Sequence, residues 1–255
     1  MCRHATLTLI MAVSGFASLP VARAEAQSHA TFGIDVEAGP VWQSRNDVQI
    51  PNDGTGTRFS LVDVAGSGPQ PAGRVYLTWN ISSRHGLRAL LAPLSFTETG
   101  ALAEPVNFAG ETYEAGAPVD GTYKFNSWRL GYRYRLRDSE TLGLFIGFTA
   151  KIRDAKIELR QGGTTSKKTD IGFVPLLHLA ADWQFTPQWR IVFDFDGLAG
   201  GPGRAFDVAL KLQRDLSNRW SVGGGYRTIE GGADVESVYN FAWLHYGFAT
   251  VSLRL

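Results

Sequence analysis

Trp189-Arg190-Ile191-Val192-Phe193-Asp194-Phe195-Asp196 carries Trp, Ile, Phe and Phe at its odd positions, with charge at 190, 194 and 196. A period of two sets the apolar side chains on one face of an extended strand and the charged ones on the other. The alternation recurs along the chain. Trp128, Leu130, Tyr132, Tyr134 and Leu136 are interleaved with Arg129, Gly131, Arg133 and Arg135. Leu142, Leu144, Ile146, Phe148, Ala150 and Ile152 are interleaved with Gly143, Phe145, Gly147, Thr149, Lys151 and Arg153. Val75, Leu77, Trp79 and Ile81 alternate with Arg74, Tyr76, Thr78 and Asn80, and Phe32, Ile34, Val36 and Ala38 with Gly33, Asp35, Glu37 and Gly39. The pattern predicts ten strands, over about 31–43, 72–82, 86–97, 122–137, 140–159, 169–184, 188–198, 203–215, 218–230 and 237–255. Leu87 to Leu94 is apolar at both parities, so the faces of the third strand stay unassigned.

The bulk composition agrees with an all-β chain. Among 255 residues there are 29 glycines, and 12% are aromatic, a bias found in barrels and sheets. Lys and Arg number 25 against 24 Asp and Glu. This balance excludes a strongly basic nucleic-acid binder and an acidic disordered tail.

Connections alternate in length. Those near Ser83-Arg84-His85, Asp138-Ser139, Thr186-Pro187 and Ser217-Asn218 are short. Those after odd strands are expected to be longer, the first over about Ser44 to Pro71 and the second over about Glu98 to Gly121. An even number of strands with short turns at one end and long loops at the other predicts a transmembrane antiparallel up-and-down β-barrel. The tryptophans follow suit. Trp79, Trp183, Trp189 and Trp220 flank short turns, and Trp42, Trp128 and Trp243 lie near the long-loop ends, all on the apolar parity. Two aromatic girdles at the two membrane interfaces produce this distribution.

The first 24 residues read as a signal peptide, leaving 25–255 as the barrel domain. Arg3 precedes an apolar stretch from Ala5 to Leu19, and Ala22-Arg23-Ala24 supplies a small-residue cleavage site, with Ala26 as a second choice. Cys2, the only cysteine, leaves with it, so the mature chain is expected to hold no disulfide, thiol nucleophile or cysteine metal site. At the other end Ala249, Val251, Leu253 and Leu255 alternate up to the last residue. This resembles the terminal strand of Gram-negative outer-membrane barrels, where the last residue is usually Phe or Trp rather than Leu. The resemblance is to the small OmpA-like and ten-stranded barrels. It implies a monomer in the outer membrane of a Gram-negative bacterium, with both termini in the periplasm. It also implies outer-membrane lipid and lipopolysaccharide as surroundings, and the barrel-assembly machinery as a partner in biogenesis.

The second parity then faces a lumen. It carries Asp35, Glu37, Arg129, Arg133, Lys151, Arg153, His178, Asp194, Asp196, Asp207 and Arg227, with Arg74, Asp182 and Lys211 beside them. Buried charges of mixed sign must pair. If Trp183 faces Trp189 across its turn, His178 faces Asp194; if Asp215 faces Arg219, Asp207 faces Arg227. Ten strands lie close to the size at which side chains fill the interior, so the expectation is a lumen plugged by ion pairs.

Several motifs compete for chemistry. Trp128 to Arg135 has the composition of a nucleic-acid site, but a strand sends its arginines and aromatics to opposite faces. His178 with Asp194 or Asp196 has the donors of a general base or a divalent-ion site. Omptin-type barrel proteases use His and Asp residues at the rim, whereas His178 lies mid-strand. His245 faces outward, as in barrel-borne lipid A deacylases, but lacks their His-x-Ser spacing because Tyr246 and Gly247 follow it. Gly162 to Lys168 lacks the second glycine and the helix of a phosphate loop. The leading expectation is a non-enzymatic barrel without metal, cofactor or nucleic acid, serving envelope structure or surface interaction. The alternatives are a narrow pore or small-solute transporter, and an envelope enzyme acting on lipid A or peptides through His178, Asp194 or His245.

Overall fold

A computed structural model describes residues 31–255; the expected signal peptide lies outside the described residues. The chain forms β1 (Phe32–Gln49), β2 (Phe59–Ser60), α1 (Val62–Ala65), β3 (Gln70–Asn80), β4 (His85–Ala92), β5 (Ser95–Ala101), β6 (Val106–Phe108) and β7 (Glu111–Tyr113). It continues through β8 (Pro118–Asp138), β9 (Leu142–Gln161), β10 (Thr164–Gln184), β11 (Trp189–Gly200), β12 (Gly203–Asp215), β13 (Trp220–Val235) and β14 (Val238–Arg254). Neighbours in sequence pair antiparallel around the wall, and β14 closes on β1 from Gly33↔Arg254 to Gln49↔Tyr239. The two-residue β2 adds only to the end of β1, and β4 and β5 share one wall position, so ten positions make a closed barrel.

The alternating pattern finds its reason in two different environments. The outer wall exposes Leu130, Phe148, Ile171 and Phe173 at 58, 64, 76 and 65%. Water would not tolerate so continuous an apolar band, whereas bilayer hydrocarbon requires it. The tryptophans lie on this outer wall. Leu87, Ala89 and Leu91 of β4 face outward, and Arg88, Leu90 and Ala92 face the lumen, where Leu90 and Ala92 are buried.

Four connections at one end are short, spanning 81–84, 139–141, 185–188 and 216–219. At the opposite end only two are long, which corrects the expectation of five. Gly162-Gly163, Gly201-Pro202 and Glu236-Ser237 are two-residue hairpin turns. Gly162 takes a φ of 56° in the first, the left-handed geometry that matches the twist of a tight hairpin. The extra length was strand: β9 and β10 each run about twenty residues. The first long segment also begins as strand, since β1 continues past a bulge between Gln43 and Arg45.

The long-loop end is stoppered from inside. Leu61, Val64 and Ala65 of the α1 turn, and Val106, Phe108 and Tyr113 of the β6–β7 hairpin, pack on Val48, Tyr123, Leu159 and Leu244 of the wall. The Tyr113 hydroxyl donates to the Leu159 carbonyl at 3.0 Å, and Ser166 Oγ donates to the Phe108 carbonyl at 2.9 Å. Full burial of a side chain such as Phe108 contributes about 1.5–3 kcal/mol, which holds the hairpin seated.

Candidate functional site

Two splits interrupt the wall at the long-loop end. The first separates β3 from β5. Pairing between β3 and β4 stops at Val75↔Leu91, and β5 then pairs with β8 alone. The α1 turn fills this split. A Cβ on Gly100 would lie 2.3 Å from the Asp63 carbonyl, and one on Gly121 would lie 2.7 Å from a Val64 methyl. These glycines let the helix seat against the wall, and Gln70 Nε2 donates to Glu98 Oε1 across the gap at 2.7 Å.

The second split is not stoppered. β10 pairs with β11 only from Leu177↔Gly197 to Gln184↔Arg190. From Thr164 to Leu176 it pairs with β9 alone, while β11 turns back into β12 at Gly200↔Gly203. Phe173, on the free part of β10, shares a row with Ile152 and Trp128. Lys167, Lys168 and Asp170 on that edge hinder strand addition, as charges do on open edges.

Behind the notch lies a cavity of about 610 Å³. Its walls combine outer residues such as Phe173 with lumen residues such as Leu176, Ile229, Ala242 and Leu244, so it opens through the wall. Its floor holds Arg129, Lys151, Asp196 and Asp207. Lys151 is buried, its ammonium 4.6 Å from the Phe125 ring centroid. Among the described residues it makes no ion pair. Arg153 pairs with Asp170 beside the opening.

Below the cavity the charged parity forms one connected network. Glu37 accepts from Lys211 Nζ at 2.9 Å and from Arg227 Nη2 at 3.0 Å. Asp207 accepts from Arg74 at 2.9 Å, from Arg129 at 2.7 Å and from Arg227. Asp196 and Asp207 sit directly opposite each other on β11 and β12, a costly like-charge pair. Arg129 bridges them, with Nη1 2.8 Å from Asp196 and Nη2 2.7 Å from Asp207. Asp194 is held by both prongs of Arg88. The Tyr76 ring lies between four cations, Arg74, Arg88, Lys211 and Arg227, at 5.1–5.8 Å from its centroid, a cation–π arrangement strengthened by burial.

Both inferred registers are off by two residues. Trp183 faces Ile191 rather than Trp189, so His178 faces Asp196, with Nδ1 2.9 Å from Oδ1, and not Asp194. Asp215 faces Ser221, so Asp207 and Arg227 meet diagonally. The turns are wider than the reading assumed, which moves the pairing by a full period and preserves every face. Ligand atoms of His178, Asp194 and Asp196 lie within 4.8 Å of one another. A divalent ion there would meet the guanidinium groups of Arg88 and Arg129, so the cluster acts as an ion-pair site. Asp35 accepts from Ser252 Oγ, and Arg133 stacks over Phe145 at 4.8 Å.

His245 faces outward, 2.8 Å from Ser44 Oγ and 2.5 Å from the Tyr226 hydroxyl. Ser44, Tyr226, Arg88 and Tyr76 are residues that sequence reasoning did not single out. The signal for Arg88 is its position opposite Gly131 of β8, which an assigned face would have revealed.

Among solved structures the chain is similar to the outer membrane protease OmpT from Escherichia coli, at 9% identity over 88% of this chain and 96% of that one, with a TM-score of 0.55. The fold is that of the small outer-membrane β-barrels. Outer membrane protein AlkL is matched at 10% identity over 94% of this chain and 98% of its own, with a TM-score of 0.42. Neisserial surface protein A is matched at 10% identity over 89% and 98%, with a TM-score of 0.39. No protein-family model and no curated protein matches the chain by sequence. The chain therefore shares its barrel architecture with OmpT, and architecture alone assigns no activity.

Proposed function

We propose that this barrel admits a small amphipathic solute, apolar along most of its length and anionic at one end, through the notch between β10 and β11. In this reading the short turns and both termini face the periplasm. The monomer sits in the outer membrane of a Gram-negative bacterium, inserted by the barrel-assembly machinery and surrounded by outer-membrane lipid and lipopolysaccharide. The observation that carries the reading is the coincidence of a broken wall with a cavity of about 610 Å³ behind it. Aliphatic and aromatic walls suit a chain or ring, and the ammonium of Lys151 offers the counter-charge for a carboxylate. The ion-pair floor blocks the axis, so the solute exchanges sideways with the outer leaflet. A closed structural barrel would account for the network but would leave the notch unused.

The refolded barrel should bind a dansyl-labelled fatty acid saturably. Lys151→Met should weaken that binding about ten- to a hundredfold, since a hydrogen bond to a charged group is worth about 1.5–3 kcal/mol, while the corresponding neutral amide should lose much less. A disulfide between Pro175→Cys and Ala199→Cys, across the notch, should abolish binding. No saturable binding by barrel shown to be folded overturns the proposal.

A further inference from the structure

We infer that Ser44, His245 and Tyr226 form a hydrolytic site on the lipid-facing wall that cleaves an acyl ester of a phosphate-bearing membrane lipid. The site lies on β1, β13 and β14, uses no residue of the cavity floor, and stands independently of the uptake reading. Polar groups facing lipid must be paired whatever their purpose, so pairing alone assigns nothing. The order of the groups does. A serine hydroxyl lies 2.8 Å from one imidazole nitrogen of His245, and a tyrosine hydroxyl lies 2.5 Å from the other. That is a nucleophile, a base and a group that orients the base.

The backbone explains why Ser44 can act. The β1 pairing jumps from Gln43↔Leu244 to Arg45↔Trp243, so Ser44 is the bulged residue and has no partner on β14. A bulge re-aims side chains. Here it places Ser44 and Arg45 together on the outer face, with Ser44 exposed. The His245 ring is held between Trp243 and Tyr226, with centroids at 5.4 and 6.1 Å. Trp243 is fixed in turn by its Nε1 donating to Thr228 Oγ1 at 2.6 Å.

Beside the serine the wall carries three arginines, two of them each shared with one carboxylate. Arg45 and Arg204 are 42 and 41% exposed at their side chains, paired with Asp47 and Glu230, and Arg58 lies over the Tyr239 ring. Guanidinium groups suit phosphate. A lipid held there by its headgroup phosphate would lay the start of its acyl chain, where the ester lies, along the wall at Ser44.

Ser44 Oγ attacks the ester carbonyl carbon while His245 Nε2 takes the hydroxyl proton and Nδ1–H donates to the Tyr226 oxygen. The tetrahedral adduct collapses with cleavage of the bond to the lipid alkoxy oxygen, which leaves with the proton from Nε2. Water from the interface then adds to the acyl-serine, giving one proton to Nε2. The bond to Ser44 Oγ breaks, Oγ recovers that proton, and a fatty acid departs. No oxidant, reductant or metal is required.

The test uses the folded barrel in vesicles. An alkyl fluorophosphonate should label Ser44, located by peptide mass spectrometry. His245→Ala should reduce the labelling rate at least a hundredfold. Tyr226→Phe, a change at a positioning residue, should slow labelling several-fold and displace its pH profile. Fatty-acid release is then followed from vesicles of phosphatidylglycerol and, separately, of lipid A; release from either supports the site and names the lipid. Folding of Ser44→Ala is checked by heat-modified mobility on gels. Wild-type barrel that is folded, unlabelled at Ser44 and silent on both lipids overturns the inference.

Discussion

Arg227 is gripped from two sides, by both oxygens of Glu37 and by Asp207. Removing it leaves two buried carboxylates short of a counter-charge, and breaking such a pair costs about 3–5 kcal/mol. Arg227→Ala should therefore lower the denaturant midpoint of the refolded barrel, and Glu37→Gln/Arg227→Met should recover part of the loss. An unchanged midpoint in the single variant would sink this view of the network. The sign and face of Asp207 and Arg227 were legible in the sequence because each is charged at the lumen parity of its own strand. Their register was not, because an arginine reaches a diagonal neighbour as readily as an opposite one. Ser44 was illegible for another reason: the bulge breaks the period at that residue, and a broken period reads as the start of a loop.

At the scale of elements, β10 is half wall and half edge. Its amides from Leu177 to Gln184 lie between two partners, whereas those from Thr164 to Leu176 have only β9. Hydrogen exchange in micelles should show the upper amides that point away from β9 exchanging much faster than the lower ones. Equal protection along the strand would mean that the notch closes in solution. All ten wall positions were counted, nine of them by alternation, which survives wherever one face meets lipid and the other charge; the faces of the third were hidden because Leu90 and Ala92 put apolar side chains on its lumen side as well. The two splits were not, because periodicity reports which face a residue takes and says nothing about where a partner strand ends. The same limit hid the tight turns at the long-loop end, which join strands of about twenty residues such as β9 and β10.

For the molecule as a whole, two barriers lie in series along the axis: the apolar stopper of α1 and the β6–β7 hairpin, and the ion-pair floor beneath it. Inserted barrel in a planar bilayer should give no stepwise current. Reproducible steps in the wild type would show that one barrier moves aside. The architecture was legible from strand count, alternation and the short turns at one end. The cavity was not, because it arises from the differing heights of neighbouring hairpins, a property of the assembled wall.

Glu37 has one more role, in time rather than in space. It enters the lumen on the first strand, yet the cations it meets come from β3, β12 and β13. Until β1 docks against β14, Glu37 has only Arg74, its opposite on β3, while Lys211 and Arg227 stand near the other edge of the open sheet without it. Joining the seam is thus a neutralisation as well as a pairing of strands. A chain stalled open in a bilayer would hold the Glu37 carboxylate towards one edge and the Lys211 and Arg227 cations towards the other, and separating charge in hydrocarbon is costly, which favours the closed seam.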